Sequence, residues 1–163
     1  RHLHVYFRAT GIAQRGCATM KWTEQIDHAR AQGDWSEVIR AVPFARFLDL
    51  RIDVKGEEFT CVLPFQEKLI GNPILPALHG GATGGFLECA GLFYLLWHMD
   101  SRDLPKTIDF NIDYLRSGRP QDTYANVVMV KLGQRVANLR IQAWQSSPDK
   151  PIALGHGNFM LRA

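Results

Sequence analysis

Glu88 is the one charged side chain in a run of small and apolar residues spanning 80–97. Stripping an ionised carboxylate of water costs several kcal/mol unless something compensates. Such a group is turned to solvent, paired with a base from elsewhere in the chain, or kept as a general base or nucleophile. At about 100° per residue, Gly81, Gly84, Glu88 and Gly91 share one helical stripe, with little side-chain bulk beside the carboxylate. Close packing of a neighbouring element and the approach of a substrate would both leave that pattern.

His79-Gly80-Gly81 stands where this helix begins, so backbone N–H groups lie at an unpaired, partially positive helix start. Those donors could stabilise charge developing on an attacked carbonyl oxygen, and glycine permits the close approach that this needs. His79 and Glu88 are nine residues apart, a rotation of about 900°, which puts them on opposite faces of one helix. They form no local dyad. Either His79 caps the loop, or the helix start of one subunit faces Glu88 of another.

The elements that must hold these groups follow from hydrophobic period. Trp22, Ile26 and Ala29, then Trp35, Val38, Ile39 and Val42, recur at helical intervals around a break at Gly33, which predicts two short amphipathic helices with Pro43 ending the second. Phe59, Cys61 and Leu63 alternate with Glu58, Thr60 and Val62 beyond a turn at Lys55-Gly56, as in a hairpin. A loop with Gly71-Asn72-Pro73 and Pro76 leads to the long helix, about 79–98, apolar enough to be buried on most sides. Ile108, Phe110, Ile112 and Tyr114 alternate with Asp109, Asn111 and Asp113, and strands over 124–132, 135–145 and 152–161 follow. The order predicts an α+β domain: short N-terminal helices, a hairpin, and a meander of antiparallel strands wrapped around one buried helix. A sheet curled around one helix leaves edge strands, so at least a dimer is expected.

The chain has 163 residues, 46% of them hydrophobic, enough for one sizeable core. Met20 resembles a natural start, which divides the chain into an Arg-containing, acid-free leader or added extension over 1–19 and a single domain over 20–163. The formal charge of +3 comes without a dense basic block, so no nucleic-acid partner is expected. One carboxylate and five glycines within 80–97 argue against a membrane span. Cys17, Cys61 and Cys89 are odd in number and lack C-x-x-C spacing, which suits a reducing, cytoplasmic setting, and the six histidines show no metal-ligand spacing.

The run His79-Gly80-Gly81 with an acid nine positions after the histidine is followed by Thr107-Ile108-Asp109-Phe110-Asn111-Ile112, Tyr114-Leu115-Arg116 and Leu132-Gly133-Gln134-Arg135. Over about residues 45–162 this order resembles the phenylacetate-degradation-type acyl-CoA thioesterases of the hot-dog fold. The resemblance implies hydrolysis of an acyl- or aryl-CoA thioester to the free acid and coenzyme A, with no cofactor beyond the substrate. It implies that Gly80 donates its N–H to the thioester oxygen, that Glu88 of the neighbouring subunit attacks the carbonyl or activates water, and that Thr107 positions that water. It further implies a homodimer or a dimer of dimers. Asn72, seven residues before His79 where the family often has an asparagine at six, is a candidate polarising side chain, and the acid is glutamate where aspartate is common. Arg116, Arg119, Lys131 and Arg135 are the cations available for the phosphates of coenzyme A. The readings to separate from hydrolysis are a non-catalytic acyl-CoA-binding module of the same fold and a hot-dog dehydratase or hydratase, which would pair a histidine with an acid.

Overall fold

The computed structural model describes residues 20–161, so the segment 1–19 read as a leader or added extension, and the last two residues, lie outside the described residues. The chain starts with α1 (Trp22–Gln32), closed by Gly33 in the left-handed conformation at φ 74°, which a side chain would strain. α2 (Ser36–Ala41) follows. As expected, α2 stops just before Pro43, but the helical region does not end there. Pro43 opens a third helix, α3 (Pro43–Phe47), because proline's fixed φ and missing N–H suit the first helical position. Buried Ile26, Ala29, Trp35, Val38, Ile39, Ala45 and Leu48 dock this trio on the core.

β1 (Arg51–Lys55) and β2 (Glu58–Leu63) form the expected hairpin, and Ile52 pairs with Cys61. The stretch read as a loop contains a small second sheet, β3 (Ile70–Asn72) with β4 (Ala77–Leu78), too short to show a period. The long helix α4 runs Gly80–His98. β5 (Lys106–Tyr114), β6 (Thr123–Leu132), β7 (Val136–Trp144) and β8 (Ala153–Met160) complete the chain. All pairings in the large sheet are antiparallel, in the order β1-β2-β6-β7-β8-β5.

That order corrects the simple meander. β6, β7 and β8 are consecutive neighbours, but β5 pairs with β8 and occupies the sheet edge, while β6 joins the β1–β2 hairpin. β5 must therefore be placed by contacts distant in sequence, which alternation cannot report. The sheet curves around α4, whose Phe86, Leu87, Phe93, Leu95 and Leu96 are almost fully buried. Each large side chain so buried contributes on the order of 1.5–3 kcal/mol, which makes α4 the centre of the core. Gly91 lets the sheet come close: a Cβ there would lie 3.0 Å from Phe159 and 3.3 Å from Leu139.

The C-terminal end of α4 is held by α1. Arg30 Nη2 donates to the carbonyls of Leu96 at 2.8 Å and Ser101 at 2.7 Å, and also to Met99, filling acceptors that a helix end leaves unpaired. Trp22 Nε1 donates to Arg102 O at 2.7 Å, and Arg102 Nε meets Asp27 Oδ1 at 2.8 Å. Among the described residues no helix is long and apolar enough to cross a membrane.

Candidate active site

The start of α4 is organised by His79. Its Nδ1 accepts the Gly81 N–H at 2.9 Å, which requires the ring proton on Nε2, and its carbonyl accepts from Ala82 at 3.0 Å and Thr83 at 3.1 Å. Three of the first four helical N–H groups are thereby occupied. The fourth, Gly80 N–H, has no acceptor among the described residues. His79 is thus a helix cap, and the cap leaves one donor at the position that the resemblance assigns to the oxyanion.

A tyrosine that spacing alone did not mark steadies that donor. Tyr114, the last residue of β5, donates its hydroxyl to Gly80 O at 2.7 Å and lies 3.4 Å from where a Gly80 Cβ would stand. Gly80, Thr83, Tyr114, Leu115, Arg116 and Ser117 line part of a cavity of about 410 Å³ at this helix start. It has the size of a site for part of a small ligand.

Glu88 is half-buried and, among the described residues, has no ion pair and no side-chain hydrogen bond. No basic partner among the described residues accounts for it, and part of its surface remains in solvent. The glycine stripe has a mixed origin. Gly84 admits Ile112, whose Cδ1 would be 2.7 Å from a Cβ there, and Gly91 admits the sheet, so both are packing glycines. Gly81 is exposed and faces its own cap.

A single subunit does not bring the candidate residues together. Gly80 and Glu88 are eight residues apart on α4, so the helical rise separates them by about 12 Å. Thr107 sits near the far end of β5, opposite Phe159 and beside a register shift, seven residues and on the order of 23 Å from Tyr114. Asn72 is exposed, and its Oδ1 accepts from Ile74 N at 3.0 Å and Leu75 N at 3.2 Å. That oxygen serves the local turn.

The four candidate cations divide into two pairs. Arg116 and Arg119 line a cavity of about 410 Å³ together with Lys150, and Arg116 Nη1 donates to Pro151 O at 2.7 Å. Lys131 and Arg135 line a cavity of about 540 Å³ at the β6–β7 turn. Arg135 O accepts from Leu161, just past the β8 residue paired with Lys106, so the second pair lies at the opposite end of β5 from Arg116. One subunit cannot gather all four around one set of phosphates. Sequence reasoning missed Lys150, which sits in a turn whose spacing carries no signal.

The buried core also holds two thiols, Cys61 and Cys89, both free. Burial pushes both up, Cys89 to about 12, so neither supplies a thiolate nucleophile at neutral pH.

An antiparallel sheet wrapped around one long helix, with a glycine donor at the helix start and an acid two turns on, defines the class as a hot-dog fold. A sequence model described as the thioesterase superfamily matches residues 75–152, which cover α4, β5, β6 and β7. A crystal structure of a Chromobacterium violaceum protein is 34% identical, with TM-score 0.71, covering 85% of this chain and 96% of that one. The chain belongs to the thioesterase superfamily. The medium/long-chain acyl-CoA thioesterase YigI of Escherichia coli K12 is 28% identical over 115 residues, 62% of this chain and 74% of the relative. A putative thioesterase from Ralstonia eutropha JMP134, described as phenylacetic acid degradation-related, shares the fold at TM-score 0.66 and 18% identity, covering 78% of this chain and 98% of that one.

Proposed function

We propose that the protein hydrolyses acyl-CoA thioesters in a site built by two copies of the chain. The observation that carries this reading is the unpaired, half-buried Glu88 carboxylate on the same helix as the unoccupied Gly80 N–H. A thioester carbonyl needs little more: one donor for the developing oxyanion and one carboxylate to attack it or to deprotonate a water. His79 is committed to the cap, its Nδ1 taken by the Gly81 N–H. That argues against a dehydratase, whose histidine would face the acid.

The edge strand β5 is the surface that would join the copies. It is nine residues long, contains no proline, and is paired on one side alone within the chain. Ile108, Tyr114 and Leu115 are exposed along it and beyond its end. Gly80 is level with Tyr114 and Gly84 with Ile112, so one further helical turn puts Glu88 level with Phe110. Antiparallel pairing of β5 with its copy around a two-fold axis near Ile112 would set Gly80 of one subunit opposite Glu88 of the other. In that register Thr107 approaches the second subunit's Arg116 end, where Arg116, Arg119 and Lys150 offer charge for the coenzyme's phosphates.

The test is release of free thiol from a panel of acyl- and aryl-CoA thioesters by the wild type and by Glu88→Gln. Turnover that falls by at least about 10³-fold in the variant, with the dimer intact, supports the reading. Tight binding of acyl-CoA with no turnover of any thioester would favour a non-catalytic binding module instead.

A further inference from the structure

Phe44 lies against the catalytic helix in a way that folding alone does not explain. α3 is anchored by buried Ala45 and Leu48, yet Phe44 is 48% exposed and Phe47 54%. Their rings stack with centroids 6.3 Å apart. Lys68 Nζ lies 4.3 Å from the Phe47 centroid and donates to Phe47 O at 2.7 Å, which fixes that end of the pair. Two rigidly held phenyl rings left open to water lose burial that a short core-facing helix could have gained.

The inner edge of Phe44 rests on Gly85. A Cβ there would stand 2.6 Å from its Cε1 and 2.8 Å from its Cζ, so glycine is what admits the ring. Helical geometry places Glu88 about 40° around α4 from Gly84 and about 60° from Gly85. The carboxylate therefore emerges between Ile112 on β5 and Phe44 on α3. A thioester carbonyl reacting there carries two arms, the sulfur arm of the coenzyme and the acyl carbon chain. In the cross-subunit site, the second subunit's cleft, which runs from Gly80 to Arg116 and Ser117, lies on the β5 side and suits the polar arm. The side bounded by Phe44 is aromatic.

Resting on the thioesterase reading above, we infer that Phe44 is a specificity-determining residue: the open face of its ring is the platform for the distal carbons of a straight aliphatic acyl chain. α3 lies outside the segment matched by the superfamily model, so this wall is supplied by the N-terminal helices of this chain.

The experiment measures kcat/KM for straight-chain acyl-CoAs from butanoyl to decanoyl in the wild type, Phe44→Ala, Phe44→Leu and Gly85→Ala. Carbons that lie on the ring gain up to roughly four-fold per methylene in the wild type. Phe44→Ala flattens that slope, so the decanoyl-over-butanoyl preference falls by at least about ten-fold while butanoyl changes by less than about two-fold. Phe44→Leu restores part of the slope, and Gly85→Ala, which displaces the ring without removing it, lowers it. An equal loss at every chain length, or an unchanged slope, overturns the inference. So does a Phe44→Ala effect confined to the oligomeric mass by light scattering, which would make the ring a subunit contact. A wild type inactive on every thioester overturns the functional reading and this one together, whereas an active wild type silenced by Glu88→Gln with an unmoved slope overturns this one alone.

Discussion

Two variants that are each inactive can show whether the active site crosses between subunits. Gly80→Pro removes the free N–H while preserving the helix start, because proline suits the first helical position and His79 already has the extended backbone it requires, φ −64° and ψ 130°. The added Cβ meets Tyr114 at ordinary contact distance, 3.4 Å. Losing one oxyanion donor costs about 10²–10³ in kcat. Glu88→Gln removes the base or nucleophile and leaves Gly80 untouched. Each site as proposed takes Gly80 from one subunit and Glu88 from the other, so a mixed dimer of the two variants has one site with both defects and one with neither. Random reassortment of equal amounts makes about half the dimers mixed, so activity returns to roughly a quarter of wild type. A mixed dimer purified through two different tags reaches about half. Were both groups drawn from one subunit, every site would keep one defect and the mixture would stay below about 1%. Steady-state thiol release on the doubly tagged dimer decides between these, and activity no higher than that of the parent variants refutes the cross-subunit site.

Tyr114→Phe removes the hydrogen bond to Gly80 O. It should lower kcat several-fold with little change in KM and cost about 1 kcal/mol in denaturant unfolding; a purely structural tyrosine would leave kcat alone. The Asp27–Arg102 pair should make the α1 attachment acid-sensitive. The Arg102 hydrogen bond holds the Asp27 carboxyl below its usual range against the opposing effect of burial, with lesser help from the charges of Arg102 and Arg30. Its stabilising contribution is therefore present above about pH 4 and is lost as pH falls through the lowered folded-state value. Thermal melts of wild type and Asp27→Asn should differ near neutrality and converge in acid, and a gap that persists below about pH 2 would refute the assignment.

Where hydrophobic period is strong, the chain's elements could be read directly. The apolar run at 80–97 is α4 to within one residue of its end, and the alternation from Ile108 to Tyr114 is β5. Pro43 marked the end of α2 but not the start of α3, because residue type alone does not say that a helix also begins there; that depends on Val42 being extended before it. The β3–β4 pair escaped notice because five residues in all are too few to show a period. At the site, Glu88 stood out as a charge in an apolar run. Phe44 and Tyr114 did not, since aromatic residues at element ends ordinarily fill a core.

The sequence by itself determined the α+β class, the buried helix, the isolated carboxylate and the glycine at the helix start, because each is a local matter of period, residue type or cap. Tertiary structure alone decided that β5 leaves the meander for the sheet edge, that His79 takes the Gly81 N–H and leaves Gly80's free, and that Arg116 and Arg135 lie at opposite ends of the sheet. Those outcomes depend on which residues distant in the chain become neighbours. A one-dimensional period reports the face on which a side chain lies, and says nothing of the strand or helix it will meet there.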